Sequence, residues 1–205
     1  MLGRFYVILD DSYITPEDVK DLTFKVLRGG ADVLQLRSKR WDRGTIVSVA
    51  DTVYPISKDF GIPFIINDYV DIAVNYDGVH VGAGDVPYEE ARRVLGENRI
   101  VGVSCYGSLP MALRMQDAGA DYVAFSSPYP SPTKPDKDIT SMDLIREAAR
   151  VLHIPFYVIG GIDETRAREL VRAGAYGVAV VSAVLRASDP EEAARRIRDA
   201  IYSSV

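Results

Sequence analysis

The 205-residue chain is poor in the side chains that bind transition metals or attack substrates covalently: one cysteine (Cys105), two histidines (His80 and His153) and one tryptophan. A single cysteine excludes an internal disulfide and agrees with a reducing compartment, so a cytoplasmic location is expected. Two histidines with no cysteine pair leave no third ligand for a zinc site. His80 is expected to be a structural strand residue and His153 a surface or turn residue. No histidine stands near Ser104 or Cys105 in sequence and no G-x-S-x-G elbow occurs, so nucleophilic catalysis has no support; Cys105 is expected to be a small apolar residue. No apolar run approaches a membrane span, and the opening MLGRFYVILDD lacks the apolar length of a signal peptide. Positive charge is not in excess: 24 Lys and Arg stand against 29 Asp and Glu, a net charge of −5. A general nucleic-acid or anionic-membrane surface is therefore not expected, and an anionic ligand needs a local basic site. The expected partners are small phosphorylated molecules, with a homo-oligomer left open.

What the chain has is a regular alternation. Apolar runs at 5–9, 31–36, 63–66, 78–81, 100–104, 121–125, 155–159 and 177–181 read as strands. Helical stretches follow each: from Thr15-Pro16-Glu17-Asp18 to Gly29-Gly30, then 43–59, a short one within 68–76, and 87–95, 110–118, 141–151, 163–173 and 190–202. Gly30-Ala31-Asp32, Gly119-Ala120-Asp121 and Gly174-Ala175-Tyr176 each end a helix and open a strand, a weak internal repeat. Eight alternating units with continuously apolar strands mean a parallel sheet covered on both faces. They close most naturally into one (β/α)8 TIM barrel, a single domain over residues 1–205, with an open doubly wound sheet as the other arrangement. A barrel places function at the carboxyl ends of its strands.

Those ends carry a distinctive set. In FIINDYVDIAVNYDGVHVGAGD, Asp68 follows the third strand and Asp85 the fourth. Neighbouring parallel strands lie about 5 Å apart, so the two carboxylates would meet and, with substrate phosphates, suit Mg²⁺. The competing reading makes each a helix cap. Strand 2 ends in Gln35-Leu36-Arg37-Ser38-Lys39. Alternation puts Gln35, Arg37 and Lys39 on one face toward the mouth and Leu34 and Leu36 on the other toward helices. Strand 3 adds Asn67. The long loop after strand 6 holds Ser131, Thr133 and Lys134 among four prolines, Pro128, Pro130, Pro132 and Pro135. Strand 7 ends in Gly160-Gly161 before a helix, and strand 8 in Val181-Ser182; the loops after these two strands form the usual phosphate site of such a barrel. Two anion-binding regions result: Lys39, Asn67, Lys134 and a metal on Asp68 and Asp85; and Ser131, Thr133, Gly161 and Ser182. With no proton-transfer dyad in view, this fits displacement of pyrophosphate from an activated carbon.

The motifs QLRSK, FIINDYVDIAVNYDGVHVGAGDVP, VGVS, PSPTK, VIGGI and GVAVVSA, in that order, resemble the thiamine phosphate synthase (thiamine-phosphate pyrophosphorylase) family almost end to end. The resemblance implies condensation of hydroxymethylpyrimidine diphosphate with hydroxyethylthiazole phosphate, with Mg²⁺ assisting departure of pyrophosphate before the thiazole nitrogen adds. It implies that Gln35, Arg37, Lys39, Asn67 and Ser104 hold the pyrimidine diphosphate, with Arg37, Lys39 and Lys134 catalytic through the diphosphate. Asp68 and Asp85 would bind Mg²⁺, and Ser131, Thr133, Gly161, Val181 and Ser182 the thiazole phosphate. Ala83-Gly84, Tyr106, Ser126-Ser127 and Ser131 depart from the family pattern. Ser127 falls where the related thiazole tautomerases carry their histidine. A tautomerase-like barrel or a non-catalytic regulator that binds a thiamine-related phosphate are the alternatives; a phosphate-sugar isomerase is a weaker third.

Overall fold

The computed structural model describes residues 2–129 and 140–205. Eight parallel strands form a closed barrel in sequence order, β1 (Phe5–Asp10), β2 (Val33–Arg37), β3 (Phe64–Asn67), β4 (Gly78–Val81), β5 (Ile100–Tyr106), β6 (Tyr122–Ser126), β7 (Phe156–Ile159) and β8 (Gly177–Val180), with β8 pairing back onto β1. The open sheet is thereby excluded. The helices are α1 (Val19–Arg28), α2 (Arg43–Asp59), α3 (Val70–Ala73), α4 (Tyr88–Leu95), α5 (Leu109–Ala118), α6 (Met142–Val151), α7 (Glu164–Arg172), α8 (Ser182–Leu185) and α9 (Pro190–Tyr202). No helix among the described residues is long and apolar enough to cross a membrane.

Most element ends lie within one or two residues of expectation, and three differences have a local cause. The Thr15 hydroxyl bonds Asp18 in a separate turn, and α1 begins only at Val19. β5 runs past Ser104 to Tyr106 through a bulge between those two residues. The four-residue α8 was not foreseen: Ser182 opens it directly after β8.

The alternation of the strands sorts side chains into two cores. Phe5, Val7, Leu9, Leu34, Leu36, Val79, Val81, Val103, Phe125 and Val158 face outward and pack under the helices. Tyr6, Ile8, Ile65, Tyr122, Tyr157 and Ala179 fill the barrel interior. Cys105 is fully buried in the outer core, where burial pushes its thiol up to about 12, an inert position.

The internal repeat has a physical basis. Gly30, Gly119 and Gly174 have φ of 91°, 94° and 104°. Each ends its helix by the same paired bonds: Gly30 and Ala31 amides to Leu27 and Val26 carbonyls, Gly119 and Ala120 to Gln116 and Met115, Gly174 and Ala175 to Val171 and Leu170. The aspartate that follows then receives amides from a neighbouring strand's start: Asp32 from Arg4 and Phe5, Asp121 from Val101. These carboxylates lock the end of the barrel opposite the mouth.

Candidate active site

Asp68 and Asp85 come together at the mouth. Burial pushes the Asp68 carboxyl up and the adjacent Asp85 carboxylate adds to this, while Lys39 opposes both. Neither residue caps a helix: the N-caps of α3 and α4 are Tyr69 and Pro87, and neither makes a side-chain capping bond. Asp68 instead has a left-handed backbone, φ 66°, and its amide bonds the His80 carbonyl at 2.9 Å. Asp85 turns back to accept the Gly82 amide at 2.8 Å. The Lys39 ammonium pairs with Asp68, which raises its own pKa. Two crowded carboxylates sharing one lysine favour a further cation. Among the described residues no cluster of three or more His, Cys, Asp or Glu side chains is placed to hold a metal. A pair is nevertheless the donor set that suits Mg²⁺, which keeps waters and substrate oxygens in its remaining positions.

β2 delivers its polar face as expected. Gln35 is buried inside the barrel and its Nε2 donates to Tyr6 Oη at 2.8 Å. Arg37 Nη1 donates to Asp10 Oδ2 at 2.5 Å, so β1 orients the guanidinium. Asn67 ends β3 with only 7% exposure, in register with His80.

Asp10 and Asp11 hold Arg37 and the loop after β2, a role that the sequence reading missed; two acids at the end of the first apolar run were the available signal. Asp11 is fully buried, and its Oδ2 accepts the Ser38 hydroxyl and the amides of Lys39, Arg40 and Trp41 at 2.6–3.3 Å. Its Oδ1 accepts no hydrogen bond among the described residues and faces the Arg40 guanidinium at 3.6 Å. The carboxylate thus fixes the loop that carries Lys39. Burial alone would raise the Asp11 carboxyl, but these hydrogen bonds outweigh it and hold it below the usual 3.8. A depressed folded pKa gives stability that is present above the unfolded value and lost as pH falls through the folded one. Asp11→Asn is expected to cost about 2 kcal/mol at neutral pH, with the deficit narrowing at pH about 3. Urea unfolding at both pH values checks this; an equal deficit at both would overturn the charge argument.

His80 is a structural residue of β4, as expected, and it has two polar partners inside the barrel. It stacks on Tyr122 with ring centroids 5.6 Å apart. Nδ1 lies 3.0 Å from Tyr122 Oη and Nε2 lies 2.8 Å from Ser104 Oγ. Burial drives the imidazole down to about 4, so it is neutral at ordinary pH. Tyr122 Oη lies 2.9 Å from Tyr6 Oη. A continuous polar chain therefore crosses the interior: Gln35, Tyr6, Tyr122, His80, Ser104. Period-two alternation within Val79-His80-Val81 was the signal that His80 points inward. His153 is exposed, as expected.

On the other side of the mouth, Gly160 and Gly161 have φ of 115° and 56°, backbone that only glycine adopts readily. The Gly161 carbonyl accepts Arg166 Nη1 at 2.5 Å. Val181, the N-cap of α8, has no side-chain cap to offer the first amides of this short helix beside Ser182. Ser127 is 3% exposed; its hydroxyl bonds the Gly160 carbonyl and accepts the Tyr129 amide. Tyr106 Oη accepts the Ala83 amide at 3.2 Å, which ties together two of the positions that depart from the family pattern. Ser131, Thr133 and Lys134 lie outside the described residues.

With this geometry in place, comparison with known proteins is direct. A family model described as thiamine monophosphate synthase matches residues 5–184. Relatives named thiamine-phosphate synthase include one from Roseiflexus sp. (strain RS-1), 41% identical over 99% of this chain and 87% of its own. Another, from Thioalkalivibrio sulfidiphilus, is 44% identical over 96% and 94%. The solved thiamine phosphate pyrophosphorylase from Pyrococcus furiosus superposes with a TM-score of 0.89 at 31% identity, covering 98% of this chain and 96% of that one. Matches of this extent run through the barrel strands and the mouth alike: the chain belongs to the thiamine monophosphate synthase family.

Proposed function

We propose that this transferase, one barrel domain over residues 1–205, joins a hydroxymethylpyrimidine diphosphate to a hydroxyethylthiazole phosphate with release of pyrophosphate, and that the mouth divides into the two anion sites described above. The observation that carries this reading is the convergence of Arg37, Lys39 and the Asp68/Asp85 pair at adjoining strand ends, across the mouth from Gly161 and Ser182. Gln35, Arg37, Lys39, Asn67 and Ser104 hold the pyrimidine diphosphate. Gly161, Val181 and Ser182 hold the thiazole phosphate through backbone and hydroxyl donors, together with Ser131 and Thr133. Lys134 reaches the diphosphate.

Asp68 and Asp85 would hold Mg²⁺, which when bound supplies positive charge to the departing diphosphate. The chain's own cations do the same from the other side. Arg37, kept in place by Asp10, and Lys39, kept in place by Asp11, stand where negative charge builds up as the carbon–oxygen bond breaks. The barrel wall holds the pyrimidine so that the thiazole nitrogen meets the electron-poor carbon in line. No protein base is required, since the attacking nitrogen carries no proton to remove. The single buried thiol supports a reducing, cytoplasmic setting.

Ser127 supports the synthase over the tautomerase alternative: its hydroxyl pins the backbone of the β6 and β7 ends and offers no proton shuttle. A regulator that only binds would have no use for two crowded carboxylates. The deciding experiment is pyrophosphate release with both substrates, with and without Mg²⁺. Release that requires all three components, with thiamine phosphate formed, is expected. Saturable thiazole phosphate binding without release would overturn the proposal in favour of the tautomerase or regulator.

A further inference from the structure

The interior chain has a direction. Gln35 Nε2 can only donate, and it donates to Tyr6 Oη at 2.8 Å. Tyr6 Oη and Tyr122 Oη lie 2.9 Å apart, and with Gln35 donating to Tyr6, the Tyr6 proton is the one left to bridge them. Tyr122 Oη lies 3.0 Å from His80 Nδ1, and on this count its one proton is left for that nitrogen, which must then be bare. The neutral ring therefore carries its proton on Nε2 and gives it to Ser104 Oγ at 2.8 Å. Ser104 keeps its own proton for the mouth. In the reverse direction Tyr6 Oη would accept from both Gln35 and Tyr122, and its own proton would be left unpaired in a site where Tyr6 is 2% exposed and Tyr122 fully buried. A buried unmade hydrogen bond is what such interiors avoid.

We propose that Tyr122, acting through His80, is a positioning residue that fixes the Ser104 hydroxyl as a hydrogen-bond donor toward the mouth, so that the substrate atom it meets is an acceptor such as a diphosphate oxygen. The proposal rests on the reading of Ser104 as a contact of the pyrimidine diphosphate. It assigns Ser104 the task of supporting charge on the departing side, and it excludes Ser104 as a proton acceptor.

The chain's histidine count makes the test clean. With only His80 and His153 present, a long-range ¹H–¹⁵N spectrum of histidine-labelled protein resolves both rings. Exposed His153 serves as the averaging reference. The expected spectrum shows His80 as one neutral form, protonated at Nε2 and bare at Nδ1. In Tyr122→Phe, the form protonated at Nδ1 is expected to appear, with kcat lower by roughly ten-fold and KM for the thiazole phosphate unchanged. A structural role alone would move the melting temperature and leave kcat at the parent's value. A parent spectrum with the proton on Nδ1 overturns the proposal, and it needs no variant that must fold. A Tyr122→Phe enzyme with the parent's kcat overturns it as well. Absence of turnover in the parent would count against the synthase reading, and the parent spectrum would still decide the direction of the chain.

Discussion

Asp68→Asn is expected to lower kcat for pyrophosphate release by about 100-fold or more while thiazole phosphate affinity changes less than about two-fold. The substitution removes charge and little else. Asn tolerates the left-handed backbone at φ 66°, and the anchoring bond of the loop runs from the residue 68 amide to the His80 carbonyl, which the side chain does not touch. Folding is not at risk. Burial and Asp85 already push the Asp68 carboxyl up, so removing its charge relieves repulsion. The lost Lys39 pair is half in solvent on the lysine side, where such pairs contribute little. What remains is the loss of one of two carboxylates that would hold Mg²⁺ against the diphosphate, and release of Lys39 from its fixed position. Both act on the departing group and neither reaches Gly161 or Ser182. Steady-state kinetics over a Mg²⁺ series, with calorimetric titration of thiazole phosphate, checks the prediction. Equal loss of turnover and thiazole phosphate affinity would contradict the metal role.

The barrel was legible because its signals are local. Eight apolar runs and the glycines that end helices each act within a few residues. Side-chain direction was legible where alternation along a strand decides it, as for Gln35 and Arg37, whereas Lys39 lies past β2 in the loop that Asp11 fixes. The site was not legible where a role depends on a partner far along the chain. Asp11 matters because it receives three amides from 39–41, and His80 because Tyr122, 42 residues on, presents a hydroxyl to it. The expectation of a structural role for His80 holds; what the sequence does not name is its partners, Tyr122 and Ser104. α8 escaped because a four-residue helix carries no periodicity to detect.

Gly102 is the sharpest instance of a long-range requirement, and it supplies the second large prediction. In the sequence it is one residue of an apolar strand. In the barrel it stands in register with His80 on β4 and with Tyr122 on β6. The Tyr122 ring crosses over it to stack on His80, 5.6 Å between centroids with the planes 18° apart. A Cβ at Gly102 would lie 2.0 Å from Tyr122 Cζ and within 2.5 Å of both neighbouring ring carbons. The ring cannot retreat, because Tyr6 and Tyr157 pack edge-on against it at 5.9 and 5.3 Å. β5 cannot shift either, since both its edges are hydrogen-bonded in a closed barrel. Gly102→Ala is therefore expected to destabilise the protein by about 3 kcal/mol, a fall of about 10 °C in Tm. It should also break the link from Tyr122 to His80. Calorimetry of Gly102→Ala, Tyr122→Leu and the double variant separates this contact from general damage. If the ring is the cause, the shorter side chain makes room for the methyl and the double variant is less destabilised than the two single losses combined. Strict additivity would show that the alanine is resisted by something other than Tyr122.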